Sequence, residues 1–137
     1  MDKKKEIISH LKEIEEEKGV LILFAVEAGS RLWRLQSKDS DYDIRFVYKR
    51  PIEDYLRLNN VPDIIEKTIE NMDFVGFDIL KFTKLLLSSN PSMIEWLKSD
   101  IIYLDDGKTK EKFRDFIEKK YNPASLYHHY KSMCRQN

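Results

Sequence analysis

The continuous apolar run from Val20 to Val26 is the feature that most constrains what this 137-residue chain can fold into. The run is too short to favour a buried helix and lacks polar alternation, so it predicts a strand covered on both faces. A chain of 137 residues has the length of one domain that buries most of its apolar surface in a single core. We therefore expect residues 1–137 to form one domain.

Hydrophobic periodicity predicts the remaining elements. Strands are expected at residues 42–48, 64–69, 73–80 and 101–104. Helices are expected at residues 2–18, 81–87, 90–97, 110–120 and from 123 onward, with short helical pieces at 31–35 and 51–56. Two of the helices begin with an Asn cap followed by Pro, at Asn90-Pro91 and Asn122-Pro123. The last third of the chain is therefore predicted to be mainly helical.

Composition limits the class of protein and its compartment. Hydrophobic residues make up 42% and charged residues 35%, which is typical of a folded domain. No apolar run is long enough to span a bilayer, no signal peptide is recognisable, and the single cysteine, Cys134, fits a reducing compartment. Lys and Arg number 24, as do Asp and Glu, which excludes a global electrostatic attraction to nucleic acid. These features predict a cytoplasmic protein without a membrane partner.

Three aspartates lie in strand-like segments, where aspartate is depleted. Asp41 and Asp43 are two residues apart at the start of an alternating run, so they are expected on the same strand face. Asp78 interrupts a second apolar run and is expected to close the cluster from a neighbouring strand. Clustered carboxylates need a cation, and Mg²⁺ (or Mn²⁺ in its place) suits an all-oxygen set. The alternative is a turn followed by a solvated strand end.

A Gly-Ser turn follows the buried strand directly. Gly29 allows close approach of the backbone, and Ser30 adds a hydroxyl donor, so the turn is a candidate phosphate-binding site. The alternative is an ordinary strand-to-helix turn with Ser30 as the N-cap. Arg31 lies next to this turn, and Arg45, on the same strand face as Asp43, could pair with the carboxylates or contact a triphosphate.

These motifs together resemble the polymerase-beta-type nucleotidyltransferase superfamily. The stretches at residues 28–33 (Ala-Gly-Ser-Arg-Leu-Trp) and 39–48 (Asp-Ser-Asp-Tyr-Asp-Ile-Arg-Phe-Val-Tyr) resemble one branch of it more closely. That branch comprises the RlaP-like predicted nucleotidyltransferases of bacteria and phages, some of them associated with RNA repair. Residues 76–81, 89–97 and 121–133 are similar to the same branch. Relatives usually continue into a further helical region, so we expect this chain to lack that extension.

The resemblance implies an α+β fold, with a mixed β-sheet, helices packed on one face and a helical C-terminal part. It also implies a metal-dependent enzyme that transfers an NMP from an NTP, such as ATP, to an acceptor hydroxyl and releases pyrophosphate. Asp41, Asp43 and Asp78 would be the catalytic metal ligands. Gly29 and Ser30 would bind the phosphates, and Arg31 or Arg45 would offset charge on the leaving pyrophosphate.

The identity of the acceptor stays open at this point. The end of an RNA, a protein hydroxyl modified in a toxin–antitoxin setting, and a small molecule are the three options. A different class of function is a non-catalytic module that binds a nucleotide or a partner protein. Retention of the aspartate trio argues against that class, because clustered carboxylates are costly without a cation.

Overall fold

The computed structural model describes residues 2–29, 41–57 and 61–120. Ten elements follow one another along these segments. They are α1 (Lys3–Lys18), β1 (Leu21–Glu27), β2 (Tyr42–Lys49), α2 (Ile52–Tyr55), β3 (Ile64–Ile69), β4 (Met72–Asp78), α3 (Ile79–Leu87), α4 (Pro91–Lys98), β5 (Ile102–Asp105) and α5 (Thr109–Lys120). The short helix expected from Arg31 and the helix expected after Pro123 lie outside the described residues.

The five strands form one mixed sheet in the order β3-β4-β2-β1-β5. β2 and β4 are parallel, whereas the other three neighbouring pairs are antiparallel. The chain turns back between β3 and β4 in a hairpin, so β4 runs in the same direction as its other neighbour, β2. The expected α+β class and mixed sheet are therefore confirmed.

Helices cover both faces of the sheet. Ile7, Leu11 and Ile14 of α1 pack on one face, in the same cluster as Ile44 and Phe46 of β2. On the other face, one cluster joins side chains of α3, α4 and α5 with apolar residues of β1 and β2. β1 lies between these layers, and six of its seven residues are buried, as the apolar run predicted. The expected packing of helices on one face holds for α3, α4 and α5, and the amphipathic first helix covers the second face in addition.

Capping residues set the ends of the helices as the sequence indicated. The Asp2 side chain accepts a hydrogen bond from the Lys4 amide at the start of α1, and Gly19 ends that helix in the left-handed conformation, with φ at 64°. The Asn90 side chain likewise accepts from the Ser92 amide, and Pro91 occupies the first turn of α4. No helix within the described ranges is long and apolar enough to cross a membrane.

Candidate functional site

Gly29 and Asp43 are in direct contact at one end of the sheet. A methyl group placed on Gly29 would overlap the Asp43 carboxylate and would lie 2.9 Å from its Cβ. The Ala28 amide also donates a hydrogen bond of 2.9 Å to the Asp43 carbonyl. Glycine is therefore required here by close packing, and the turn that leaves β1 lies against the strand that carries the aspartates.

Asp41 and Asp43 both lie at the beginning of β2. Asp41 is the exposed residue immediately before the strand, and Asp43, its second residue, is partly buried with 32% of its side chain exposed. The structure therefore brings Gly29, Asp41 and Asp43 to the same end of the sheet. Ser30 and Arg31 follow Gly29 directly in the sequence but lie outside the described residues.

A carboxylate missed in the sequence lies beside Asp43. The parallel register of β2 and β4 pairs Asp43 with Asp73, the second residue of β4. Nη2 of Arg45 lies 3.1 Å from the Asp73 carboxylate and 3.8 Å from that of Asp43, so one guanidinium bridges both. In the sequence, Asp73 could be noticed only as the first residue of a predicted strand. That position points to the site only when the pairing of β4 with β2 is known.

Asp78 lies at the opposite end of β4. Its register partner is Tyr48, five residues beyond the Asp43–Asp73 pair, which corresponds to about 16 Å along the strand. The side chain is 1% exposed and accepts hydrogen bonds from Arg50 Nε at 3.0 Å and Tyr55 Oη at 2.8 Å. The prediction that Asp78 closes the carboxylate cluster is therefore wrong, because β2 and β4 run parallel and their first residues are neighbours.

The role of Asp78 in the structure is to begin a helix and neutralise a cation. Its Oδ1 accepts the Leu80 amide at 2.8 Å as the N-cap of α3, while Oδ2 is held by Arg50 and Tyr55. Removing one partner of this buried pair would leave a charge uncompensated, so Asp78 has a structural role. It does not face the Gly29 turn.

Glu27 is a second residue that the sequence reading passed over. It ends β1 and is fully buried at 0% exposure. Its Oε2 accepts hydrogen bonds from the amides of Asp43 at 2.8 Å and Gly29 at 3.2 Å, and its Oε1 accepts from Tyr103 Oη at 2.7 Å. Burial raises the pKa of the Glu27 carboxyl, while the hydrogen bonds oppose that increase. The signal in the sequence was a carboxylate that directly continues an apolar strand.

The contact with Glu27 changes how the turn can meet a phosphate. The sequence made this turn a candidate phosphate-binding site, and in the structure the Gly29 amide is donated to Glu27. This amide would have to give up its hydrogen bond to Glu27 in order to bind a phosphate. Arg45 pairs with the carboxylates of Asp43 and Asp73, which is one of the two roles expected for it. Its Nη1 also donates to the carbonyls of Ile44 and Asp73, both at 3.1 Å.

A cleft of about 390 Å³ opens beside these carboxylates. Phe77 and Trp96 stack with ring centroids 5.2 Å apart at its wall. The cleft is lined by Ala28, Asp43, Arg45, Val75, Phe77, Leu85, Asn90, Ser92, Met93, Glu95 and Trp96. A larger apolar cavity of about 530 Å³ lies between α3 and α5, and none of its lining residues is acidic. The cleft next to Asp43 therefore has the mixed polar and aromatic lining typical of ligand sites.

No ready metal cluster is present within residues 2–29, 41–57 and 61–120, where no three His, Cys, Asp or Glu side chains are grouped to hold an ion. Asp43 and Asp73 are instead joined through Arg45. The Nη2–Asp43 distance of 3.8 Å makes this the looser of the two ion pairs. The donors at this end of the sheet are carboxylate oxygens, the type that Mg²⁺ prefers.

A mixed sheet with a glycine turn after one strand and paired aspartates at the start of the next defines the polymerase-beta class of fold. The chain belongs to the RlaP family, the RNA repair pathway DNA polymerase beta family, whose model matches residues 3–137. The resemblance seen in the sequence is thereby confirmed.

The chain is similar to two curated proteins. It is 41% identical over 135 residues to "Uncharacterized protein YcgL" of Bacillus subtilis, with 98% of this chain and 52% of the relative covered. It is 31% identical over 119 residues to "Uncharacterized protein MJ0002" of Methanocaldococcus jannaschii, with 82% of this chain and 47% of the relative covered. The chain thus spans about half the length of these relatives. No solved structure matches it.

Proposed function

We propose that this protein is a metal-dependent nucleotidyltransferase, which transfers an NMP from an NTP to an acceptor hydroxyl and releases pyrophosphate. The observation that carries the proposal is the packing of the Gly29 turn against Asp43 at the mouth of a cleft. A turn suited to phosphates beside carboxylates suited to a divalent cation is the arrangement that phosphoryl-group transfer needs.

Asp41, Asp43 and Asp73 are the residues that would hold Mg²⁺ or Mn²⁺, with Asp73 taking the place that the sequence gave to Asp78. Oxygen donors fit these ions, and the side chains of Asp43 and Asp73 are 32% and 41% exposed, so solvent and ions reach them. When bound, the ion would neutralise charge on the phosphates and lower the pKa of the acceptor hydroxyl. The loose Arg45–Asp43 contact can be given up without loss of the Arg45–Asp73 pair.

Phosphate binding, positioning and proton transfer would fall to different residues of the site. Ser30 and Arg31, next to the Gly29 turn, would bind the phosphates and offset charge on pyrophosphate. Arg45 orients Asp73 through contacts with its carboxylate and carbonyl and is thereby a positioning residue. The acceptor oxygen would bond to the α-phosphorus as the bond to the bridging oxygen of pyrophosphate breaks. Asp73 would accept the acceptor proton and return it to solvent.

The acceptor that we propose is the end of an RNA. The description of the family as an RNA repair pathway family supports this choice. The net charge of +0 implies that any RNA contact is local, since a long nucleic-acid footprint needs many cations. A protein hydroxyl and a small molecule are the competing acceptors, and the following experiment includes both.

The test is NMP transfer from each α-labelled NTP with Mg²⁺ or Mn²⁺, offered to short RNA, to the protein itself and to a small-molecule cell extract. Wild type should label an acceptor, whereas Asp41→Asn and Asp43→Asn should not. Ser30→Ala should mainly raise KM for the nucleotide. Asp115→Asn, at an exposed position of α5, is the matched control and should retain full activity. Equal transfer by Asp43→Asn and wild type would refute the proposal.

One observation favours a second candidate, a module that binds nucleotide without chemistry. The Arg45–Asp73 ion pair neutralises one carboxylate of the site with a side chain of the protein itself, which suits a site that binds nucleotide without transferring it. Metal-dependent nucleotide binding by wild type with no transfer to any acceptor would support that candidate. Transfer in wild type alone would exclude it.

A further inference from the structure

We propose that Glu27 is a second positioning residue of this site, with its buried carboxylate fixing the Gly29 turn against the strand that carries Asp43. The inference rests on the proposed function, because positioning has meaning only if the turn and Asp43 act together on a nucleotide. Glu27 itself is fully buried and so does not contact solvent or substrate.

A single oxygen of Glu27 joins the two halves of the site. Its Oε2 accepts both the Asp43 amide, at 2.8 Å, and the Gly29 amide, at 3.2 Å. These two amides belong to residues 14 positions apart in the sequence, one in the turn and one in β2. The distance between the turn and Asp43 is therefore set by one side-chain atom as well as by the Ala28–Asp43 backbone bond.

The rest of Glu27 is held from β5 and from the segment before it. Its Oε1 accepts from Tyr103 Oη at 2.7 Å, and Tyr103 is 8% exposed. The backbone carbonyl of Glu27 accepts from Ser99 Oγ at 2.8 Å, and its amide donates to the Ile101 carbonyl at 3.0 Å. Glu27 is thus held through both its side chain and its backbone. A residue that positions others must itself be held in this way.

The chemistry of the residue argues for positioning over packing. A buried carboxylate is costly unless hydrogen bonds satisfy it, and an apolar side chain would fill the end of an otherwise apolar strand more cheaply. Among the described residues, the side chain of Glu27 accepts hydrogen bonds from the turn, from Asp43 and from the tyrosine that supports it. The hydrogen bonds that offset burial are therefore the same ones that hold the site together.

Two substitutions distinguish the hydrogen bonds of Glu27 from the space that its side chain fills. Glu27→Met keeps the length of the side chain but removes every acceptor. Glu27→Gln keeps an oxygen that accepts the amides of Gly29 and Asp43, and its NH₂ can donate to Tyr103 Oη once that hydroxyl rotates. Glu27→Gln should therefore keep the hydrogen bonds that Glu27→Met loses. Tyr103→Phe removes the hydroxyl that donates to Glu27 Oε1 and serves as the mild variant if Glu27→Met fails to fold.

The first readout needs no nucleotide and no metal. Amide hydrogen exchange followed by NMR should be faster by about tenfold or more at Gly29 and Asp43 in Glu27→Met, because each amide loses a hydrogen bond to a charged acceptor. Exchange at Phe74 and Val75 of β4 should match wild type, as should exchange at all four positions in Glu27→Gln. Unchanged exchange at Gly29 and Asp43 in Glu27→Met would overturn the inference.

The second readout is the split between kcat and KM for the nucleotide, measured well below the melting temperature of each variant. A positioning role predicts a kcat lowered about tenfold or more in Glu27→Met, a smaller loss in Tyr103→Phe and near-complete rescue in Glu27→Gln. A purely structural role predicts a lower melting temperature with unchanged kcat and KM, and that result would overturn the inference. An inactive wild type would refute the proposed function itself, while the exchange experiment would still decide whether Glu27 fixes the turn.

Discussion

Asp43 and Asp73 are register partners across the parallel strands β2 and β4, and the guanidinium of Arg45 bridges their carboxylates. This relationship replaces the one that the sequence suggested between Asp43 and Asp78. It places the third carboxylate of the proposed site at the beginning of β4. The difference between these two aspartates is directly testable.

Asp73→Asn is expected to lower kcat for NMP transfer by about 100-fold or more, because a missing proton acceptor costs at least that much. Asp78→Asn, in contrast, should leave kcat of the folded protein close to the wild-type value, since Asp78 lies about 16 Å along the strand from Asp43. Steady-state transfer assays below the melting temperature check both. An inactive but folded Asp78→Asn variant alongside an active Asp73→Asn variant would reverse the assignment.

Asp78→Asn, although it should keep its activity, is expected to lower the stability of the protein. Asp78→Asn leaves the Arg50 guanidinium, 11% exposed, without its carboxylate partner and should lower the free energy of unfolding by about 3 kcal/mol. Asp63→Asn is the matched control, because the Asp63–Lys81 pair is 3.8 Å apart and well exposed, so its loss should cost less than about 1 kcal/mol. Urea unfolding measures both values. Equal losses would show that burial does not distinguish the two ion pairs.

Gly29→Ala should impair the site through steric overlap. The added methyl would collide with the Asp43 carboxylate, so we expect transfer to fall sharply and stability to drop by about 1–3 kcal/mol. Gly107→Ala is a useful comparison, since Gly107 has φ at 82° and nothing within 4 Å of an added methyl. It should lose about 1 kcal/mol from backbone strain and keep full transfer activity. Normal transfer by Gly29→Ala would contradict the close packing described above.

Lys110 predicts a dependence of stability on pH. The residue is 4% exposed, its Nζ donates to the Ser99 carbonyl at 3.3 Å, and burial lowers the pKa of its ammonium, with Arg114 adding to the effect. Between the lowered pKa and the unfolded value of about 10.4, the unfolded chain binds more protons than the folded one. The free energy of unfolding should therefore rise with pH across that window.

The comparison that isolates this contribution is wild type against Lys110→Met, unfolded with urea at several alkaline pH values. Other lysines and tyrosines titrate in both proteins, so the difference between the two curves reports Lys110. Wild type should gain stability relative to Lys110→Met as pH rises. A constant difference would show that the ammonium is not destabilised by burial.

Most of the fold could be predicted from local signals. The apolar run at residues 20–26, the cap at Asn90 and the left-handed end at Gly19 are decided by nearby residues, and the structure confirms them. The same run also predicted a strand covered on both faces, and α1 supplies the second cover. The resemblance implied helices on one face, which holds for α3, α4 and α5, while α1 covers the other face.

The site could be predicted only in part, because the direction of strand pairing is not local information. Alternation along β4 indicates which face a residue occupies but not which end of β2 it meets. Had the two strands been antiparallel, Asp78 would lie near Asp43, whereas their parallel pairing brings Asp73 there instead. Glu27 was missed for a different reason, since a glutamate at the end of a strand is ordinarily solvated and only the tertiary contacts with Tyr103 and Asp43 reveal its burial.

The two ends of β2 and β4 differ in their charge and in their exposure to solvent. One end holds the partly exposed Asp43 and Asp73, and the other holds Asp78, which is 1% exposed and already neutralised by Arg50. Because the two ends share no hydrogen-bond partner among the described residues and lie about 16 Å apart, the energetic effects of substitutions at each should simply add. The residues at the Asp43–Asp73 end can therefore change without weakening the ion pair between Arg50 and Asp78, which leaves that end of the sheet free to diversify.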